Sequence, residues 1–208
     1  MSEQVLSLSG LWRPLAALIL ASAAVMGSPG PSTMSVTAVG AAFGLRRSLG
    51  YMSGLVLGTI AVLIAVATGL FALLLSVPRL APLLLAVSAA YILYLAVKIA
   101  TAPPLSKGDR RAAAPSLAAG FLLAVANPKA YVAIAAVFTS TDLPVGSPAT
   151  GAVLKTVVLA SMIVAIHLAW LLAGSGFSRI FHDPASSRIA NIIFAATLLV
   201  ATAFAILG

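Results

Sequence analysis

The chain has 208 residues, of which 62% are hydrophobic and 8% are charged, and its mean hydropathy is +1.14. A soluble domain usually carries about 25% charged residues, so a chain this apolar cannot build a water-exposed surface. The formal net charge is +8, but the basic residues sit singly or in pairs at the ends of apolar runs, which excludes a basic face for nucleic acid. Because cysteine is absent, disulfides are excluded as well, and we expect an integral membrane protein.

Six apolar runs follow one another along the chain. In chain order they cover about 15–34, 48–75, 80–99, 117–138, 153–173 and 189–207. Each is close to the roughly 20 residues that a helix needs to cross hydrocarbon. The runs are rich in alanine and leucine and lack the period-two alternation of membrane strands. The sequence therefore predicts an all-α membrane protein with six transmembrane helices in a single domain, 1–208.

Basic residues are divided unequally between the two ends of these runs. The loops after the first, third and fifth run hold eight of them, and the opposite side holds three. Positive residues are retained in the cytoplasm, so we expect both the N-terminus and the C-terminus outside. The lipid bilayer is the partner that this distribution indicates.

Proline motifs interrupt the first and the fourth run. Ser28–Pro31 reads Ser-Pro-Gly-Pro, Asn127–Lys129 reads Asn-Pro-Lys, and their leading prolines are 99 positions apart. The same offset shifts the second and third runs onto the fifth and sixth, which predicts two three-helix repeats, about 12–101 and 115–208. Because three is odd, the repeats enter the membrane from opposite sides, as in secondary transporters that bind substrate between their halves.

Each break exposes polar backbone that hydrocarbon cannot satisfy. The start of the second half-helix then directs amides and a positive dipole end into the protein, which suits a carboxylate. The predicted substrate-binding residues are those of the two breaks and the hydroxyls beside them: Ser28, Pro29, Gly30, Pro31, Ser32, Thr33, Asn127, Pro128 and Lys129.

Three titratable residues leave more than one role open. Lys129 either binds substrate or has a structural role, in which it reaches the nearer interface or pairs with a carbonyl of a broken helix. His167, in the fifth run, could carry a proton because the ordinary pKa of histidine is about 6.5, or it could simply hydrogen-bond a neighbour. Asp142, after the fourth run, is either a proton or substrate-amine site or a solvated residue at a helix end.

Gly50, Gly54 and Gly58 are spaced by four residues along the second run. Such a stripe favours close helix packing over contact with a ligand. It would permit a homodimer without requiring one.

The paired motifs, together with the basic pair at 46–47 that precedes the glycine-rich second run, resemble the LysE/RhtB family of amino-acid exporters. The resemblance covers nearly the whole chain and places Pro29–Pro31 and Asn127–Lys129 on the two family motifs. It implies six helices as inverted repeats in the bacterial inner membrane. It also implies export of a small amino acid or derivative by proton- or substrate-coupled antiport. The stretch 138–142 departs from the aromatic-proline-glutamine pattern of many members, which leaves the particular amino acid open.

Other classes of function fit the sequence less well. A metal-ion exporter of related fold would need clustered acidic or histidine ligands, but the chain has two histidines, fifteen residues apart, and no acidic pair. Neither a nucleophile–base pair nor an H-E-x-x-H motif indicates an enzyme, so we expect no catalytic residue, metal or cofactor. An exporter of another small solute and a non-transporting scaffold stay open, although a scaffold does not need two costly broken helices.

Overall fold

The computed structural model describes residues 8–70, 76, 80–101, 114–177, 188–189, 192–197, 199–200 and 203. Six helices are bounded there: α1 (Leu8–Val25), α2 (Pro31–Ala67), α3 (Leu80–Ala100), α4 (Leu117–Ala126), α5 (Pro128–Ser140) and α6 (Pro148–Phe177). The described residues from 188 onward are also helical, and the rest of the predicted sixth run lies outside the described residues. No strand occurs in the part of the chain that is described, so the all-α prediction is confirmed for it.

Two of these helices, α2 and α6, are long and apolar enough to cross a membrane by themselves. The pair α4 and α5 is bent by 63° at its junction and adds a third span if it crosses as one unit. Large aliphatic side chains on these helices, such as Leu57, Val132 and Leu172, are exposed, as lipid-facing positions require. The count of six spans and the inverted repeat stay predictions.

The long helix α2 is interrupted at Gly44, whose φ of 73° and ψ of 169° are non-helical. A positive φ suits glycine because it has no Cβ. The hydroxyl of Tyr51 donates to Ser35 Oγ at 3.0 Å, although the same 16 residues would span about 24 Å of straight helix. The segments 31–43 and 45–67 therefore pack against each other as a helical hairpin.

The helix after the first break is longer than predicted. The first apolar run was expected to end near Met34, but the helix continues as far as the interruption at Gly44. Ser35 and Thr37 have a lower intrinsic helix propensity than alanine or leucine. Their hydroxyls, however, donate to the carbonyls of Ser32 and Thr33 at 2.9 and 2.8 Å. These bonds satisfy the hydroxyls within their own helix, so the polar residues do not end it.

The second half of α2 packs against α4 through small residues. A Cβ on Gly54 would overlap the carbonyl of Leu117, and one on Gly58 would lie 2.7 Å from the carbonyl oxygen of Phe121. Gly50 is exposed, and a Cβ there would meet no described atom within 4 Å. The close approach of α2 and α4 thus depends on the second and third glycines of the stripe. That approach positions the start of α2 beside the junction of α4 and α5.

Candidate functional site

The first break lies between α1 and α2. α1 ends at Val25, whose carbonyl accepts a hydrogen bond of 2.8 Å from Ser28 Oγ. Gly30 precedes the first residue of α2, and its N–H donates to Thr33 Oγ1 at 2.9 Å. The first amides of a helix have no carbonyl one turn before them. The break therefore brings the polar backbone at the end of α1 and at the start of α2 within a few residues of each other.

Asn127 is the single residue between α4 and α5, and it forms the second break. Its Oδ1 accepts the backbone N–H of Lys129 at 3.2 Å, which caps the start of α5. Its Nδ2 donates to Ser32 Oγ on α2 at 2.9 Å, and the residue is only 4% exposed. The second break is thus hydrogen-bonded to the first.

The side chain of Lys129 joins the two breaks more strongly. Its Nζ donates to the carbonyl of Ser28 at 2.8 Å, to the hydroxyl of Ser28 at 2.7 Å and to the carbonyl of Pro29 at 2.8 Å. An ammonium has three N–H donors, so these three acceptors use all of them. We call these three bonds the Lys129 bridge. The sequence left more than one role open for Lys129. In this conformation the side chain pairs with carbonyls of a broken helix.

Gly30 makes room for this bridge. Its φ of −172° and ψ of 179° are extended backbone that any residue adopts, so the backbone does not require glycine. A Cβ there would lie 2.6 Å from Cδ and 2.9 Å from Nζ of Lys129, closer than non-bonded atoms pack. The Lys129 bridge in this form therefore requires glycine at position 30, because a side chain there would displace the end of Lys129.

Residues of both breaks line a cavity of about 40 Å³, which is room for about three water molecules. Its polar lining consists of Ser28, Ser32, Thr33, Thr59, Asn127, Lys129 and His167. Apolar side chains complete the wall, among them Met26 near the end of α1, Ile134 on α5 and Ile163 on α6. A solute larger than about three heavy atoms needs more space than this conformation offers.

His167 lines the cavity, and one of its ring nitrogens has no hydrogen-bond partner among the described residues. Its Nδ1 lies 2.8 Å from the carbonyl oxygen of Ile163. A carbonyl only accepts, so Nδ1 carries a proton, and a neutral ring then has its lone pair on Nε2. Nε2 is buried and has no hydrogen-bond partner among the described residues, and the residue is 4% exposed. Buried polar atoms without a partner are rare in proteins, so Nε2 is a candidate acceptor for a bound group.

Trp170 also holds the first break, and the sequence analysis did not identify it as a functional residue. Its Nε1 donates to the carbonyl of Gly27 at 3.0 Å, so α6 contacts the break one turn after His167, on the same face of the helix. The available signal was weak: a tryptophan in an apolar run needs an acceptor for its N–H, but the sequence does not say which one.

Asp142 is placed differently from His167. It is exposed in the segment between α5 and α6 and does not line the cavity. Near it, Lys155 donates to the carbonyls of Phe138 and Thr141 at 2.9 and 3.1 Å, which satisfies the end of α5. In the ranges that the structure describes, no three His, Asp or Glu side chains come together as a metal site would require.

Two broken helices that meet at a small polar cavity, inside a bundle of apolar helices, are characteristic of membrane transporters. A family model described as LysE type translocator matches residues 23–208, and the chain belongs to this family. The resemblance that the two motifs indicated is thereby confirmed. The chain is a transporter and not an enzyme, and it is a multi-pass protein of the bacterial inner membrane.

Curated relatives cover most of the chain. It is 32% identical over 173 residues to a cysteine/O-acetylserine efflux protein of Escherichia coli (strain K12), an alignment that covers 83% of this chain and 87% of that protein. A protein of the same name from Salmonella typhimurium (strain LT2) is 30% identical over 172 residues, with the same shares covered. No solved structure matches the chain significantly.

Proposed function

We propose that this chain exports a small neutral amino acid, of the cysteine or O-acetylserine kind, from the bacterial cytoplasm. The names of its relatives support this class of substrate. The cavity supports it too, because Lys129 is the one charged residue among the described residues that line it. A lining with no carboxylate offers nothing to neutralise a second positive charge, so it suits a zwitterion better than a cationic amino acid.

The observation that carries the proposal is the Lys129 bridge. An ammonium binds a carboxylate more strongly than a neutral carbonyl, so the carboxylate of an entering amino acid can replace the oxygens of Ser28 and Pro29. The amides of Ser32 and Thr33, at the positive end of α2, would stabilise the same carboxylate. Substrate binding would thereby separate the two breaks and widen the cavity. In the empty protein the bridge re-forms and closes it.

We propose that six spans surround this site as two inverted repeats. α1 and the segment 31–43 would form the first, broken span, and 45–67 would form the second. α3 would be the third, the bent pair α4 and α5 the fourth, α6 the fifth and the residues from 188 onward the sixth. The reversal at Gly44 supports this count because it turns the chain between the segments proposed as the first two spans. Both termini would then lie outside, and the site needs no second copy of the chain.

Coupling to a proton or to a counter-transported solute would supply the driving force. His167 is the proposed coupling residue that lies at the cavity. Asp142 would have to act from the exposed segment after α5. The two proposals differ in whether the proton site and the substrate share one cavity.

A scaffold without transport activity has one observation in its favour. All three donors of Lys129 already have protein acceptors, so the bridge could hold the fold without any solute. The two functions are distinguished by whether any amino acid moves.

Purified protein in liposomes tests the proposal. Liposomes are loaded in turn with radiolabelled L-cysteine kept reduced, O-acetyl-L-serine, L-serine and L-lysine, and efflux is followed with and without a pH gradient. We expect saturable efflux of the neutral amino acids and slower efflux of L-lysine, relative to protein-free liposomes. If no amino acid leaves faster than from protein-free liposomes, the export function is wrong and the scaffold is favoured.

A further inference from the structure

His167 contributes the polar side chain of α6 to the cavity wall. The other α6 residues that line it, Ile163 and Ile166, are apolar. The ring cannot turn its free nitrogen toward its own helix without giving up the bond from Nδ1 to the Ile163 carbonyl, at 2.8 Å. The Nε2 lone pair is therefore held in a buried position, since the residue is only 4% exposed.

The groups that face His167 explain why this lone pair matters. α5 contributes Lys129 to the cavity lining, and Asn127 lies just before α5. The hydroxyls of the lining come from α2, and Met26 follows the end of α1. Lys129 is the one other titratable group in the described lining. Among the hydroxyls, Thr59 already donates to the carbonyl of Leu55 at 2.8 Å. No acid lies among the described residues that line the cavity, so the Nε2 lone pair is the strongest neutral base in that lining.

We propose that Nε2 of His167 binds either a proton or the α-ammonium of the exported amino acid, never both, and so couples export to proton import. This inference rests on the proposed export function. A single lone pair accepts one hydrogen. Once protonated, the imidazolium presents an N–H donor and a positive charge, both of which repel an ammonium.

Under this proposal the bound amino acid has one orientation in the cavity. Its carboxylate would lie at Lys129 and the start of α2, and its ammonium at His167 on the opposing helix. On the cytoplasmic side the entering amino acid displaces the proton from Nε2 into water. On the outer side a proton from water returns to Nε2 and displaces the amino acid. One proton then enters for each amino acid that leaves, and no other reactant is needed.

Binding of radiolabelled, reduced L-cysteine to the purified full-length protein tests this competition between about pH 4 and 8, a range that contains the ordinary titration of histidine and extends well below it. For the unmodified chain we expect the Kd to rise as pH falls, approaching about tenfold per pH unit at the acid end, because one bound proton excludes one ligand. N-acetyl-L-cysteine keeps the carboxylate but has no ammonium, so it should compete at least about tenfold more weakly.

Two variants separate coupling from structure. His167→Gln retains an acceptor of similar reach that does not titrate, so it should bind L-cysteine with a Kd that changes less than about twofold over the same range. His167→Leu should bind at least about tenfold more weakly at every pH. In liposomes, efflux of L-cysteine through the unmodified protein should acidify the lumen in a one-to-one ratio, and His167→Gln should move the amino acid without protons.

The binding experiment distinguishes failure of this inference from failure of the export function. If L-cysteine and the other neutral amino acids do not bind the unmodified chain at any pH, the export function fails and this inference with it. If they bind with a Kd that does not depend on pH, export stands and the proposed competition is wrong. A pH dependence that persists in His167→Gln would equally overturn it, since another group would then carry the proton.

Discussion

Replacement of Gly30 by alanine tests whether the two breaks are joined through Lys129. The backbone at Gly30 is extended, so alanine meets no backbone strain there. Its methyl group would lie 2.6 Å from Cδ and 2.9 Å from Nζ of Lys129. Lysine must therefore move, and its three bonds to Ser28 and Pro29 lengthen or break.

The size of the effect follows from these contacts. Overpacking of a well-packed site costs about 1 to 3 kcal/mol. Hydrogen bonds to a charged group are worth about 1.5 to 3 kcal/mol each, but Lys129 is partly exposed and water can replace part of what it loses. We therefore expect Gly30→Ala to lower the free energy of unfolding by about 2 kcal/mol.

Unfolding by denaturant in detergent measures this value in four proteins: the unmodified chain, Gly30→Ala, Lys129→Ala and the double variant. With Lys129 shortened the obstacle is gone, so Gly30→Ala should then cost less than about 0.5 kcal/mol. Gly50→Ala is the matched control, because a Cβ there meets no described atom within 4 Å; it should be neutral or stabilise by up to about 1 kcal/mol. An equal cost of Gly30→Ala in both backgrounds would refute the reasoning.

Three further predictions concern the breaks and the topology. Asn127→Ala removes the cap of α5 and the bond to Ser32, so the free energy of unfolding should fall by about 1 to 2 kcal/mol. Asn127→Asp keeps the cap and should lose less stability. Equal losses of the two variants in a denaturant titration would contradict this. Pro29→Ala restores a backbone N–H and should lower efflux from liposomes at equal amounts of folded protein, and unchanged efflux would mean that the break does not depend on this proline. The chain has no cysteine, so a single introduced cysteine can be labelled selectively. Gly146→Cys should react with an impermeant maleimide in intact cells, and Leu45→Cys should react only after lysis. The opposite pattern would invert the proposed topology.

The positions of the two breaks could be predicted because proline acts locally. It removes a donor and clashes with the preceding turn wherever it stands in a helix, so Ser28–Pro31 and Asn127–Lys129 needed no knowledge of the fold. The helical class followed from composition in the same way. The continuation of the first run beyond Met34 as far as Gly44 was not predicted, since hydroxyl side chains such as Ser35 and Thr37 can compete for backbone hydrogen bonds at a helix end. Their hydroxyls instead bond within the helix, which only the structure reveals.

The partners across the site could not be predicted, because they depend on which helices meet. The sequence left two roles open for Lys129, and the choice between them requires the distance to Ser28 and Pro29, about 100 positions away. The requirement for glycine at position 30 has the same origin. The free nitrogen of His167 was equally hidden, because it is defined by what surrounds the ring and by the bond that Nδ1 makes.

The central claim is that the Lys129 bridge forms the substrate site, and a comparison of two lysines tests it most directly. Lys129→Met and Lys155→Met each remove one ammonium that binds helix-end carbonyls, but Lys155 does not line the cavity. At equal amounts of folded protein in liposomes, we expect Lys129→Met to lower the initial rate of L-cysteine efflux at least tenfold, the equivalent of about 1.4 kcal/mol, and Lys155→Met to leave it within about twofold. Equal rates for the two variants would show that Lys129 is only structural and would contradict the account.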